Sequence, residues 1–367
     1  MRVLLTGARA PATLELARLC SLAGHEVHVA DTARWHICRG SRRIAGVHRL
    51  PAPRRGHQAY AAALGALAAR LDLDVVVPTC EEIFHLASIR EEVPGLRIAC
   101  DSAERLLALH DKWRFIGLCE AAGLAVPRTR LLDAGVPAAG PGAGRWVLKP
   151  RFSRFATRVQ VVAGGAALPY LAGDLPSRWV AQEFLDGPVL CSWSVAQAGR
   201  LRAHVTYAVD ETAGPHGAAI AFHTVHHTAV RAWVAQFVAA HALDGQFAFD
   251  FVDHAGGLRA IECNPRLTSG IHGFRGLPGV VACLLEGNAG PDDAILEPPA
   301  GQRFRSRLAL SAFRRPSRAG AGLLDARDDP WPRRLQWVAW ADLFLRAAIA
   351  GDDPRRYSTR DIEWNDD

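Results

Sequence analysis

Asp250 sits in an apolar run, and a second run beyond a turn at His254–Gly257 ends in Glu262, Asn264, Pro265 and Arg266; the whole stretch reads FAFDFVDHAGGLRAIECNPR. Polar groups set into buried strands need partners, because leaving them unpaired is costly. Adjacent hairpin strands can aim two carboxylates and an amide oxygen at one spot. Hard oxygen donors of this kind suit Mg²⁺ or Mn²⁺, so Asp250, Glu262 and Asn264 read as a metal site that takes a phosphate.

The basic residues carry a second signal. Among 43 Lys and Arg residues only Lys112 and Lys149 are lysine. A compact ammonium on a flexible stem reaches a phosphate in a narrow cleft where a planar guanidinium fits less well, which gives the two exceptions a reason.

These residues must be positioned by elements that the rest of the chain supplies. With 367 residues, 49% of them hydrophobic and 22% charged, the chain has the length for two or three globular domains. No apolar run reaches the roughly 20 residues that span a bilayer, and residues 1–6 run straight into a strand, so a cytoplasmic location is expected. The 8 cysteines are scattered without zinc spacing and read as reduced core residues. A net charge of +6 is dispersed rather than striped, which argues against nucleic acid and for a small anionic substrate.

In chain order, strands at 2–6 and 26–30 flank a helix that opens at Pro11, giving a βαβ unit. The turn TGARAPA has one glycine where a dinucleotide fingerprint needs three, so NAD and FAD are not expected. A helix over 57–70 leads to a strand at 74–77 that ends in Glu81 and Glu82. At the carboxyl end of a parallel strand either acid can hold a substrate amine, or both can simply favour a helix N-terminus. A short strand at 96–99 and helices at 103–109 and 111–122 follow. Next comes a Gly/Pro/Ala loop at 133–144, then strands at 145–149, 157–162, 178–184, 191–196, 200–207 and 218–225, and a helix at 228–242. This predicts an α/β domain with a Rossmann-like parallel sheet, followed by an α+β region.

Read together, the residues resemble the ATP-grasp superfamily of carboxylate–amine ligases and carbamoyl-phosphate-synthase-like proteins, over 1–285. The matching elements are Lys112, the LKP around Lys149, QEFLDG (Gln182–Gly187), and the pair FDF and ECNPR. The resemblance implies a division at 1–108, 109–187, 188–300 and 301–367: a Rossmann-like domain, two ATP-grasp subdomains and a C-terminal extension. It implies that Lys112 and Lys149 contact ATP phosphates, and that Gln182, Glu183, Phe184 and Leu185 form the adenine linker. It further implies that Asp250, Glu262 and Asn264 hold Mg²⁺, and that Arg266 stabilises the transferring phosphoryl group.

Two departures qualify that picture. Where the family has a glycine-rich phosphate loop, this chain reads RFSRFATR from Arg151, so the Ser153 hydroxyl and the Arg154 and Arg158 guanidiniums are the candidate donors; a solvated basic hairpin tip is the plainer reading. Val189 stands where an acid often meets the ribose, with Asp186 a substitute. Beyond the hairpin, His272 and Arg275 lie in a loop expected to face the second substrate. A strand is expected at 303–313, then a Trp-rich helix at 331–349 that packs back on the core or pairs two copies, with a membrane-surface or partner-binding role as the alternative. The expected activity is an ATP-dependent ligase joining a small carboxylate to an amine through an acyl phosphate. The alternative is a nucleotide-binding module without turnover.

Overall fold

The computed structural model describes residues 1–132, 143–153, 158–166, 178–213, 219–286, 294–306 and 320–364. Of the residues expected in the site, Arg154 lies outside them, as does most of the loop at 133–144.

The N-terminal part alternates strands and helices: β1 (Arg2–Thr6), α1 (Pro11–Leu22), β2 (Glu26–Asp31), β3 (Gly46–Arg49), α2 (His57–Leu71), β4 (Val75–Val77), α3 (Glu82–Ser88), β5 (Arg97–Ile98) and α4 (Ala103–His110). The strands form one parallel sheet in the order β3-β2-β1-β4-β5. Strands β1 and β4 are almost wholly apolar because a parallel sheet is covered on both faces, and Val3, Leu4, Leu5 and Val75 to Val77 are fully buried. Gly7 turns the chain from β1 into α1 at φ +71°; a Cβ there would lie 2.7 Å from Thr79 Oγ1 and 2.8 Å from Cys80 Sγ. The β1–α1 and β4–α3 turns are thereby pressed together.

Helix α5 (Lys112–Ala121) starts at Asp111, whose side chain accepts the Trp113 N–H and caps it. Beyond it, β6 (Thr129–Leu131), β7 (Arg145–Pro150), β8 (Gln160–Ala163) and β9 (Trp179–Glu183) form an antiparallel sheet in the order β6-β9-β7-β8. A larger sheet follows, built from β10 (Val189–Gln197), β11 (Arg200–Thr212), β12 (Ala219–Val225), β13 (Gly245–His254), β14 (Gly257–Asn264), β15 (Arg303–Arg305) and β16 (Ala321–Gly322), in the order β14-β13-β10-β11-β12-β15-β16. Helix α6 (Thr228–Ala240) and α5 cover one side of β13, where Phe115, Trp233, Phe237, Phe249 and Phe251 form an aromatic core. At about 1.5–3 kcal/mol for each large apolar side chain removed from water, this core fixes the hairpin that carries Asp250 and Glu262. Helix α7 (Gly279–Leu285) packs with α1 in a core shared with the N-terminal sheet.

One stretch differs from expectation. Strand β15 pairs with β12, so residues assigned to a C-terminal extension complete the large sheet; of the expected strand at 303–313, residues 307–313 lie outside the described residues. The tail forms α8 (Trp331–Ala350) and a short α9 (Pro354–Tyr357). Helix α8 packs back on the turn Ile37–Gly40, so closely that a Cβ on Gly40 would meet Leu335 Cδ1 at 2.4 Å. Among the described residues no helix is long and apolar enough to cross a membrane.

Candidate active site

The hairpin places its polar residues by register. Asp250 on β13 faces Glu262 on β14 and Cys191 on β10, so the three stand in one row across the sheet, and Ala248 faces Asn264 one step away. Between Asp250 and Phe251 the register slips: Phe251 pairs with Ala260, leaving Ile261 as an extra residue. Such a bulge frees a backbone group from the ladder, and the Ile261 carbonyl accepts a hydrogen bond from Lys149 Nζ at 3.0 Å.

Lys149, on β7, is buried, and its ammonium also donates to Gln182 Oε1 at 2.9 Å. Burial pulls its pKa down to about 8, against the attraction of Glu262. Lys112, first residue of α5 and equally buried, lies 3.6 Å from Glu262 Oε2 and donates to the Ser153 carbonyl at 3.2 Å and its hydroxyl at 3.3 Å. The chain's only two lysines thus converge on one carboxylate.

The two acids titrate in opposite directions. Burial works to raise Glu262, but Lys112 and Lys149 outweigh it and hold the carboxyl at about 2. Burial and the adjacent Glu262 push Asp250 up to about 7. Two carboxylates facing each other across a register pair repel, and a divalent cation between them would relieve that repulsion. Asn264 Oδ1 accepts from Arg266 Nη2 at 3.1 Å, and Arg266 lies 3.9 Å from Glu81 Oε1. The donor set of two carboxylates and an amide oxygen fits a hard cation. Among the described residues no group of three or more His, Cys, Asp or Glu side chains could hold a metal, so any metal here would draw on the Asn264 amide oxygen as its third donor.

The first residues after Lys149 are clamped to the start of α5. Arg151 O accepts the Lys112 N–H at 3.2 Å, the Arg151 guanidinium pairs with Asp111, and Phe152 packs 5.6 Å from the His110 ring. His110 stacks on Phe84 at 4.7 Å; burial, then Lys112 and Arg266, pull its pKa to about 3, so it is a neutral ring in a cationic site. Sequence reasoning missed His110. Its one local signal was adjacency to Asp111 and Lys112, while the rings that hold it come from α3 and from the loop after β7.

No protein-family profile matches the sequence, and no curated protein matches it. Solved structures do. The L-amino acid ligase from Bacillus licheniformis aligns with a TM-score of 0.56 at 14% identity, over 73% of this chain and 68% of that one. N5-carboxyaminoimidazole synthetase from Staphylococcus aureus complexed with ADP gives 0.62 at 14% identity, over 82% and 80%. Biotin carboxylase from Campylobacter jejuni, in a β,γ-ATP complex, gives 0.59 at 14% identity, over 79% and 72%. The chain has the ATP-grasp fold.

Within that fold the structure brings Lys112, Lys149, Ser153, Asp250, Glu262, Asn264, Arg266 and Glu81 together. It sends other candidates elsewhere. His272 and Arg275 do not face this cleft: His272 is fully buried and its Nδ1 lies 3.0 Å from Glu15 Oε2 on α1. Arg275 donates to the same oxygen at 3.0 and 2.6 Å and to the Leu323 carbonyl. A charge buried on α1 needs partners, and the turn after β14 supplies a guanidinium and an imidazole N–H, so this trio is a strut. Glu82 faces away from Arg266; its Oε1 accepts from the Thr6 hydroxyl at 2.6 Å and from the Thr79 and Cys80 N–H groups at 3.1 Å each.

The ATP-grasp linker candidates are narrowed too. Gln182 is held by Lys149 and by Thr129, and Glu183 by an ion pair to Arg128 at 2.5 Å. The Glu183 and Phe184 N–H groups are taken by the Arg128 and Arg145 carbonyls. That leaves the half-buried Leu185 amide without a hydrogen bond among the described residues. Arg145 covers the Phe184 ring at 4.0 Å and pairs with Asp186, which is therefore committed. Arg158 lies over the Trp179 ring at 4.9 Å. Val189 is exposed at 41%.

Proposed function

We propose that this protein is an ATP-dependent ligase that joins a small carboxylate to an amine. The observation that carries the reading is the convergence of the chain's only two lysines on Glu262, opposite Asp250. That cluster combines cations to neutralise phosphates with oxygen donors for a divalent ion. In the reaction, the carboxylate oxygen attacks the γ-phosphorus of ATP, ADP leaves, and the amine nitrogen then displaces phosphate from the acyl phosphate to give an amide.

Asp250, Glu262 and Asn264 would hold Mg²⁺, which when bound neutralises phosphate charge. Lys149 and Lys112 stabilise charge on the phosphates from fixed positions, so they cost little reorganisation as the transfer proceeds. Arg266, tied to Asn264 and near Glu81, lies beside the acids and meets charge developing on the transferring group. The Leu185 N–H offers a donor to the adenine edge, with Phe184 beside it. Glu81 is the acid placed to hold the incoming amine. No side chain forms a covalent intermediate, so catalysis rests on positioning and electrostatics.

The test is ADP release with ATP and Mg²⁺ across a panel of amino acids offered in pairs. Turnover that requires both an acid and an amine supports the ligase. A second reading, a nucleotide-binding protein without turnover, is favoured by the glycine-free sequence after Lys149, whose Ser153 engages Lys112. It predicts ADP and ATP binding with no acid-dependent ADP release.

A further inference from the structure

The C-terminal residues fold back over the first sheet. In the order β3-β2-β1-β4-β5 the winding reverses between β1 and β4, and open α/β sheets bind ligands outside the carboxyl ends of strands at such a point. Here a crevice is lined by Thr6, Asp31, Thr32, Tyr60, Glu82 and Ile362, and what remains of it is a cavity of about 10 Å³, room for about one water.

Its outer wall is the tail. Arg9, in the β1–α1 turn and braced by Asp31, donates from its two terminal nitrogens to the two Asp361 oxygens at 2.8 Å each, and to the Ser358 carbonyl at 2.6 Å. The Thr32 hydroxyl donates to the same carboxylate. A planar guanidinium and a hydroxyl closing on both oxygens of a carboxylate is the geometry with which proteins recognise carboxylate ligands.

Its inner wall is Glu82. One oxygen is held by Thr6, Thr79 and Cys80; the other, Oε2, is buried without a hydrogen-bond partner among the described residues, in a side chain only 2% exposed. A buried acceptor left unpaired keeps its desolvation cost, which a ligand bringing a donor would relieve. The crevice therefore offers a carboxylate subsite on one wall and an acceptor on the other.

We propose that this crevice binds a small carboxylate carrying a hydrogen-bond donor, an α-amino acid being the simplest, and that Asp361 is the tethered occupant of its carboxylate subsite. The tail is also held by the Arg54–Glu363 pair at 3.0 Å, by the buried Ile362, and by Trp364, which packs on the Ile83, Phe84 and Leu106 cluster and meets the His57 and His85 rings. The same β4–α3 turn presents Glu82 to the crevice and Glu81 to Arg266, so an occupant is felt one residue from the cleft. The inference does not depend on the ligase reading.

The test uses the full chain without nucleotide, titrated calorimetrically with glycine, acetate and inorganic phosphate. Asp361→Asn removes the charge that fills the Arg9 fork and so frees the tail to leave the crevice. Glycine is expected to bind this variant at least about tenfold tighter than the parent, as release of a tethered competitor requires. Acetate should bind more weakly than glycine, and adding Arg9→Gln should abolish the gain. A chain ending at Tyr357 should show the same gain. The proposal is overturned if glycine gains nothing in either variant, if the gain survives Arg9→Gln, or if phosphate binds as tightly as glycine. Loss of folding in Asp361→Asn would equally defeat it, by making the tail a strut.

Discussion

Two buried clusters of charge are built differently. Glu15, His272 and Arg275 close on one another. The Glu15 carboxylate takes all three short contacts, and His272 leaves only its Nε2 without a partner, as a neutral ring donating from Nδ1 would. Around Glu262 the pairings are incomplete: Lys112 stands off at 3.6 Å, Asp250 is pushed up to about 7 by burial and by Glu262, and Lys149 leans on an amide and a carbonyl. Buried charge alone therefore does not mark a site. The mark is a cluster whose charges do not cancel internally, because the balance is left for a ligand to supply.

Substitutions on the two sides should separate cleanly. Lys149→Ala should lower kcat/KM by about 10²–10³-fold while the protein stays folded, the magnitude expected for one preorganised charge-stabilising donor. Steady-state ADP release checks this, and turnover within a fewfold of the parent would remove Lys149 from the phosphate site.

Glu15→Gln should do the reverse, costing about 3 kcal/mol of stability in denaturant unfolding because it takes the partner from the half-buried Arg275 and leaves His272 unpaired, with turnover of the folded protein nearly unchanged. Burial works to raise Glu15, but His272 and Arg275 prevail and lower its pKa from 4.5 to about 2. Its contribution is thus present above about pH 4.5 and lost as pH falls toward 2. The stability gap between parent and Glu15→Gln should narrow over that window, and a gap that stays constant would argue against the ion pair.

The sequence displayed the cleft better than the strut, for a physical reason. Asp250 and Glu262 interrupt apolar strands, and Lys112 and Lys149 interrupt an arginine-only pattern, so each is anomalous against its own neighbours. Glu15 sits on a helix where an acid looks ordinary, and only the three-dimensional packing of α1 on the turn after β14 shows it buried. His110 was hidden in the same way, since the rings that hold it come from α3 and from the loop after β7. The alternation of strands and helices in the first sheet was plain from apolar runs and turns, whereas the return of β15 to β12 rests on pairing across some 80 residues.

Smaller effects sharpen the same contrast. His110→Leu removes a ring between Phe84 and Phe152, at a cost of about 1 kcal/mol. By loosening the start of the phosphate loop it should raise KM for ATP a fewfold with little change in kcat; an unchanged KM would mean the sandwich does not position the loop. Smallest of all, Asp186→Asn breaks an exposed pair with Arg145, and both stability and KM for ATP should shift by less than about 0.5 kcal/mol. A larger rise in KM would give Asp186 a role at the nucleotide after all.

The most direct measurement is hydroxylamine trapping with ATP and Mg²⁺, run side by side on the parent, Lys149→Ala and Glu15→Gln with whichever carboxylate supports ADP release. An acyl phosphate formed in the cleft predicts hydroxamate from the parent and from folded Glu15→Gln, and none above background from Lys149→Ala. Hydroxamate formed equally by Lys149→Ala, or by none of the three while ADP is released, would contradict phosphoryl transfer at this hairpin.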